Sequence, residues 1–183
     1  MNFDVAEYKG KIKRVVLSEE EIQRKIAEVG KQISEEYEGK PLLLVSILNG
    51  AFVFMADLFR AIDIPCEIAF MVAKSYYAST DSSGEVTIKL DVNQDLSKYH
   101  VIVVEDIIDT GRTLSLVAKN LKERNPLSFK IVTLLDKPER RVVDLNADIS
   151  LFTIPDLFVI GYGLDYDEAY RNLPYIAEYD QGN

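Results

Sequence analysis

Four short apolar runs recur along the chain: LLLVSI (42–47), CEIAFMVA (66–73), VIVVED (101–106) and FKIVTLLD (129–136). Each is shorter than a buried helix and rich in branched side chains, so each reads as a strand covered on both faces. VTIKL (86–90) reads as a further strand. Helical spacing fills the gaps between them. Ile22, Ile26, Val29 and Ile33 form one apolar stripe behind Ser18-Glu19-Glu20-Glu21, a capping box in which the serine oxygen accepts from the third helical amide. AFVFMADLFRAI (51–62) and TLSLVAKNLKER (113–124) read as two more helices. Strands alternating with helices predict an α/β fold, one domain over residues 1–183 with a parallel twisted sheet flanked by helices.

In open sheets of this kind ligands gather at the carboxyl ends of the strands. Residues 48–50, 105–113 and 136–138 are therefore predicted to converge on one site. KSYYASTDSSGE (74–85), rich in Ser, Thr, Asp and Gly, reads as a long loop between two strands. The tail carries FVIGYGLDYDEAYR (158–171), whose acids would also suit a helix start, and a final IAEY.

Composition narrows the chemistry. A formal net charge of −9 leaves no broad basic surface for nucleic acid. Cys66 is the only cysteine and His100 the only histidine, so neither an intramolecular disulfide nor a Cys/His zinc site can be assembled. Cys66 lies in an apolar run and reads as a small buried hydrophobe; His100 opens YHVIVV and reads as a surface residue at a strand start. Any metal would be held by carboxylates, which favours magnesium. MNFDVAEYKG has no signal-peptide core, and runs such as LLLVSIL fall short of the ~18 residues of a membrane span, so a cytoplasmic location is expected.

VIVVEDIIDTGRTL carries the most specific signal. A buried strand ends in Glu105 and Asp106, and Asp109-Thr110-Gly111-Arg112-Thr113 then opens a helix. Small residues before a helix present backbone N–H groups and the positive end of the dipole, which suits a phosphate. The loop is too short for the GxxxxGK[ST] nucleotide-triphosphate pattern. The acid pair can accept from ribose hydroxyls or hold hydrated magnesium. Taken singly, each acid reads equally as a solvated strand end and Thr113 as a helix cap. The combination favours a site.

This segment resembles the phosphoribosyl-pyrophosphate motif of type I phosphoribosyltransferases. From about Val15 to Tyr179 the chain is similar, in matching order, to the bacterial hypoxanthine–guanine branch, through ILNGAFVFMADL, AKSYYAST, LLDKPERR and IPDLFVIGYGLDYDEAYRNLPYI. The resemblance implies a small hood formed by chain-terminal segments and a mobile loop. It implies transfer of a phosphoribosyl group from phosphoribosyl pyrophosphate to hypoxanthine or guanine, with magnesium and a homodimeric or homotetrameric assembly. It assigns Asp109 as general acid/base near purine N7, and Thr110, Gly111, Arg112 and Thr113 as the 5′-phosphate cradle. Glu105 and Asp106 would bind ribose hydroxyls and water-linked magnesium, and Asp165 a second magnesium beside the base. Lys137 would donate to purine O6, Phe158 would stack on the base and the Val159 backbone would read its edge. Asn49, Gly50 and Arg171 would meet pyrophosphate. Ser75 and Tyr76 begin loop 74–84, which would close as a lid.

One position departs from the family: Asn49 stands where relatives commonly carry a basic residue, in a turn that often holds a non-proline cis peptide. Gly50 would let the chain approach the ligand, lacking a Cβ and tolerating positive φ. Three other readings stay open: a xanthine-preferring enzyme, a nucleotide-sensing RNA-binding regulator on the same fold, and a flavodoxin-like binding domain. The last leaves the acid pair and phosphate loop unexplained.

Overall fold

The computed structural model describes residues 10–75 and 86–182. In chain order the elements are β1 (Ile12–Leu17), α1 (Glu19–Glu36), β2 (Leu42–Ile47), α2 (Phe52–Ala61), β3 (Cys66–Ser75), β4 (Val86–Leu90), β5 (His100–Ile108), α3 (Arg112–Lys122), β6 (Ser128–Asp136), β7 (Ile149–Thr153), β8 (Val159–Ile160) and β9 (Ile176–Tyr179), with 3₁₀ turns at Leu96–Lys98 and Pro138–Arg140. The larger sheet runs β4-β3-β2-β5-β6-β7, and the smaller β1-β9-β8.

Every residue of β2 is buried, as its unbroken apolar run predicts. Because strand side chains alternate, Leu42 and Leu44 pack towards α1 and α2 with Ile22, Ile26 and Phe54, while Leu43 and Val45 pack towards α3 with Val117 and Leu121. α1 begins at the capping box: Glu21 N donates to Ser18 Oγ at 3.3 Å, and Ser18 N donates to Glu21 Oε2 at 2.8 Å. Among the described residues no helix is long and apolar enough to cross a membrane.

The sheet is mixed, not wholly parallel. β2, β3, β5, β6 and β7 pair in parallel, but β4 returns antiparallel on β3, so one edge is a hairpin arm. β1 and β7 escape the periodicity reading: β1 is mostly exposed and becomes a strand because β9 offers it a partner. The hood is visible as the β1-β9-β8 sheet, built from the two ends of the chain. Residues 161–171 form turns, not a helix, with positive φ at Tyr162, Asp167, Glu168 and Tyr170. Cys66 is half-buried at the rim of the core, not inside it. His100 is likewise half-buried; its Nδ1 lies 2.7 Å from Ser128 Oγ and its ring meets Tyr37 edge-on at 5.6 Å.

Candidate active site

β5 ends at Ile108 and α3 starts at Arg112, so Asp109-Thr110-Gly111 form the link. Gly111 is the helix N-cap with φ 78°, a left-handed conformation that favours glycine. It brings no side chain of its own to cap the helix; the Arg112 amide donates to Thr110 Oγ1 at 3.5 Å, and the first-turn amides stand at the positive end of the helix, where an anion is favoured. They face a cavity of about 160 Å³ lined by Glu105 and the stretch from Ile107 to Leu114. Arg112 is exposed beside it, and Thr110 and Thr113 are half-buried.

The acid pair sits inside β5, two residues before this loop. Burial pushes the Asp106 carboxyl up to about 6, against the hydrogen bond from Ile107 N and the opposing charge of Arg171. Burial also raises the Glu105 carboxyl, and the charge of Asp106 adds to it. Glu105 Oε2 is buried without a hydrogen-bond partner. A buried carboxylate in that condition suits a cation or a sugar hydroxyl. Among the described residues no three His, Cys, Asp or Glu side chains gather as a ready-made metal cage. Magnesium would therefore take these acids together with water and substrate oxygens.

Gly50 lies against Asp106 so closely that a Cβ there would fall 1.7 Å from Oδ2. Gly163 in turn abuts Gly50, its notional Cβ 2.1 Å from the Gly50 carbonyl oxygen. Arg171 Nη1 donates to the Gly163 carbonyl at 2.9 Å, and Nη2 pairs with Asp165 at 3.0 Å and Glu168 at 3.0 Å. Gly50, Asp106, Asp165 and Arg171, separated by up to 121 positions, are thus brought together by one stack of close backbone contacts. Leu48–Asn49 is a cis peptide, and Asn49 is exposed.

The Lys137–Arg141 stretch is laced to the loop between β5 and α3. Lys137 N donates to Ile108 O at 3.0 Å, Arg141 Nη1 to Asp109 O at 2.8 Å, and Val142 N to Thr110 O at 3.2 Å. Lys137 is 7% exposed, unusual burial for a lysine. Its Nζ donates to Leu157 O at 2.5 Å. Phe158 is exposed beside it and meets Tyr166 edge-on at 5.9 Å, while Val159 is buried and pairs with Glu178. The predicted convergence of the strand ends at 48–50, 105–113 and 136–138 is therefore present. Ser75 ends β3, whereas Tyr76 and most of loop 74–84 lie outside the described residues.

Two arginines were missed from sequence. Arg140 Nε donates to Asp109 Oδ1 at 2.9 Å, and Arg141 joins the Asp109 carbonyl to the Asp136 carboxylate. In sequence both belong to the polar KPERR stretch after a strand, where nothing separates them from solvated charges. Their proximity to a strand-end site was the one available signal.

Comparison with known proteins accords with this geometry. A family model described as "Phosphoribosyl transferase domain" matches residues 16–167. The hypoxanthine-guanine phosphoribosyltransferase of Streptococcus pneumoniae is 53% identical over 166 residues, 91% of this chain and 92% of its own. That of Lactococcus lactis is 51% identical over 91% of this chain and 90% of its own. A crystal structure of a hypoxanthine phosphoribosyltransferase from Staphylococcus aureus superposes with a TM-score of 0.91 at 44% identity, covering 98% of this chain and 97% of that one. The chain belongs to the phosphoribosyl transferase domain family, within its hypoxanthine-guanine phosphoribosyltransferase branch.

Proposed function

We propose that the chain transfers the 5-phosphoribosyl group of phosphoribosyl pyrophosphate to hypoxanthine and guanine, giving IMP or GMP and pyrophosphate, as a cytoplasmic purine-salvage enzyme. The observation that carries this reading is the Glu105–Asp106 pair, with Asp106 and the Glu105 Oε2 atom buried, held between a phosphate-type helix start and the Gly50–Gly163–Arg171 stack. One end suits a 5′-phosphate, the other a pyrophosphate, and the acids between them suit a ribose.

In the reaction the bond from the anomeric carbon to pyrophosphate breaks as a purine ring nitrogen bonds to that carbon. Positive charge grows on the sugar and negative charge on the leaving group. Arg171 and the Asn49 and Gly50 amides of the turn after β2 offset the latter. Asp109, at the mouth of the phosphate cavity, takes up the proton that the base sheds near N7. Lys137 donates to a keto oxygen at purine C6 and repels the amino group of adenine, while Phe158 stacks on the ring. Glu105 and Asp106 on the ribose side and Asp165 on the base side would hold magnesium, which when bound neutralises the diphosphate. Closure of loop 74–84, which Ser75 and Tyr76 begin, would keep water from the cationic sugar. A homodimer or homotetramer is the assembly this reading carries.

Absorbance assays with hypoxanthine, phosphoribosyl pyrophosphate and magnesium test the proposal. IMP should form, and a chelator should stop it. No product under these conditions, or unchanged rates in chelator, would overturn the reaction or the metal role respectively.

A further inference from the structure

Arg140 has no part in the roles above. It closes the 3₁₀ turn that follows Lys137. Its Nε donates to Asp109 Oδ1 at 2.9 Å and its Nη1 to Asp156 Oδ2 at 3.4 Å. Asp156 Oδ1 stands 3.8 Å from Lys137 Nζ. Alternating charges thus run from Asp109 through Arg140 and Asp156 to Lys137, from the acid/base candidate to the group facing purine O6. We propose that Arg140 is a positioning residue, fixing the Asp109 carboxylate relative to the purine pocket by clasping it and Asp156 at once; the inference rests on the phosphoribosyltransferase reading of the site.

A guanidinium carries its N–H groups in a rigid planar fork, so one arginine can hold two carboxylates at a set separation where a lysine offers one point charge. Both partners are well exposed, Arg140 by 46% and Asp109 by 40%, so the pair contributes little to the stability of the fold. Its effect therefore falls on geometry, and proton transfer is sensitive to small displacements of the acid. The clasp takes only Oδ1 of Asp109, so Oδ2 is the oxygen that turns to the base. Arg141 differs in kind: it grips the Asp109 backbone and Asp136, and so shapes the loop.

The test compares Arg140→Gln, Arg140→Lys, Asp156→Asn and the Gln/Asn double variant with wild type. Single-turnover rates with hypoxanthine, dissociation constants for phosphoribosyl pyrophosphate and melting temperatures are measured for each. Arg140→Gln should slow the chemical step roughly tenfold while substrate affinity stays within about twofold and melting is unchanged. Arg140→Lys should recover part of the rate, and the double variant should be no slower than Arg140→Gln alone. A wild-type rate in Arg140→Gln, full additivity in the double variant, or a loss confined to affinity or melting would overturn the inference. Wild-type protein inactive on every base would overturn the functional reading itself, a result distinct from an active enzyme indifferent to Arg140.

Discussion

The carboxylate of Asp106 occupies the space that a side chain on Gly50 would need, with Oδ2 1.7 Å from the notional Cβ. Gly50 is not among the positive-φ glycines. Close approach, and not a left-handed backbone, is what requires glycine there. Gly50→Val should displace Asp106 or the turn, cost about 1–3 kcal/mol of stability as overpacking does, and abolish phosphoribosyl pyrophosphate binding. Asn49→Ala, on an exposed side chain, should cost about 1 kcal/mol of binding or less. Calorimetric titration of folded variants checks both; tolerance of valine with intolerance of Asn49→Ala would make the Asn49 side chain the ligand-binding group.

Burial of Asp106 has a pH signature. Its carboxyl is raised to about 6 in the fold, so the folded chain holds that proton more tightly than the unfolded one. The stabilising effect is full below the usual carboxylate range and is lost as pH rises through about 6. Asp106→Asn carries no such charge. Relative to wild type, the variant should gain about 1 kcal/mol between pH 5 and pH 7.5, read as a melting difference of roughly 2–4 °C without magnesium or substrate. A difference that shrinks over this interval would contradict the assignment.

Asp109→Asn should bind phosphoribosyl pyrophosphate nearly as wild type does, yet slow the chemical step. Positioned acid/base groups contribute ~10²–10⁴-fold. Single-turnover kinetics with hypoxanthine decide it. Preserved turnover with altered Michaelis constants would move Asp109 from catalysis to binding.

Lys137→Gln should narrow the preference for hypoxanthine over adenine. A hydrogen bond from a charged donor is worth about 1.5–3 kcal/mol, roughly 10–100-fold in the ratio of kcat/KM values. An unchanged ratio would remove Lys137 from base selection.

Much of this was legible in the chain because continuous apolar runs and a capping box are local signals. LLLVSI and Ser18–Glu21 behave as read, and VIVVED is a buried strand that runs on to Ile108, so the acid pair stands inside it and not at its end. VTIKL was legible as a strand but not as an antiparallel one, since strand composition does not encode the partner's direction. IKRVVL and ISLFT form strands through neighbours distant in sequence, β9 and β6. The helix start that the acids of LDYDEAY would also suit does not form: Asp167, Glu168 and Tyr170 take positive φ, and Arg171 bonds to Gly163 and Asp165. Resemblance named Lys137 and Arg171, whereas Arg140 needs three-dimensional distances to be seen at all.

The central claim is selective use of 6-oxopurines, and the most direct test is kcat/KM for hypoxanthine, guanine, xanthine and adenine, each with saturating magnesium and phosphoribosyl pyrophosphate. Lys137 is buried with its ammonium fixed by the Leu157 carbonyl, so the pocket carries a donor that cannot turn into an acceptor. Hypoxanthine and guanine should be converted to IMP and GMP with adenine unused. Equal turnover of adenine would contradict the account, and a strong preference for xanthine would reassign the base.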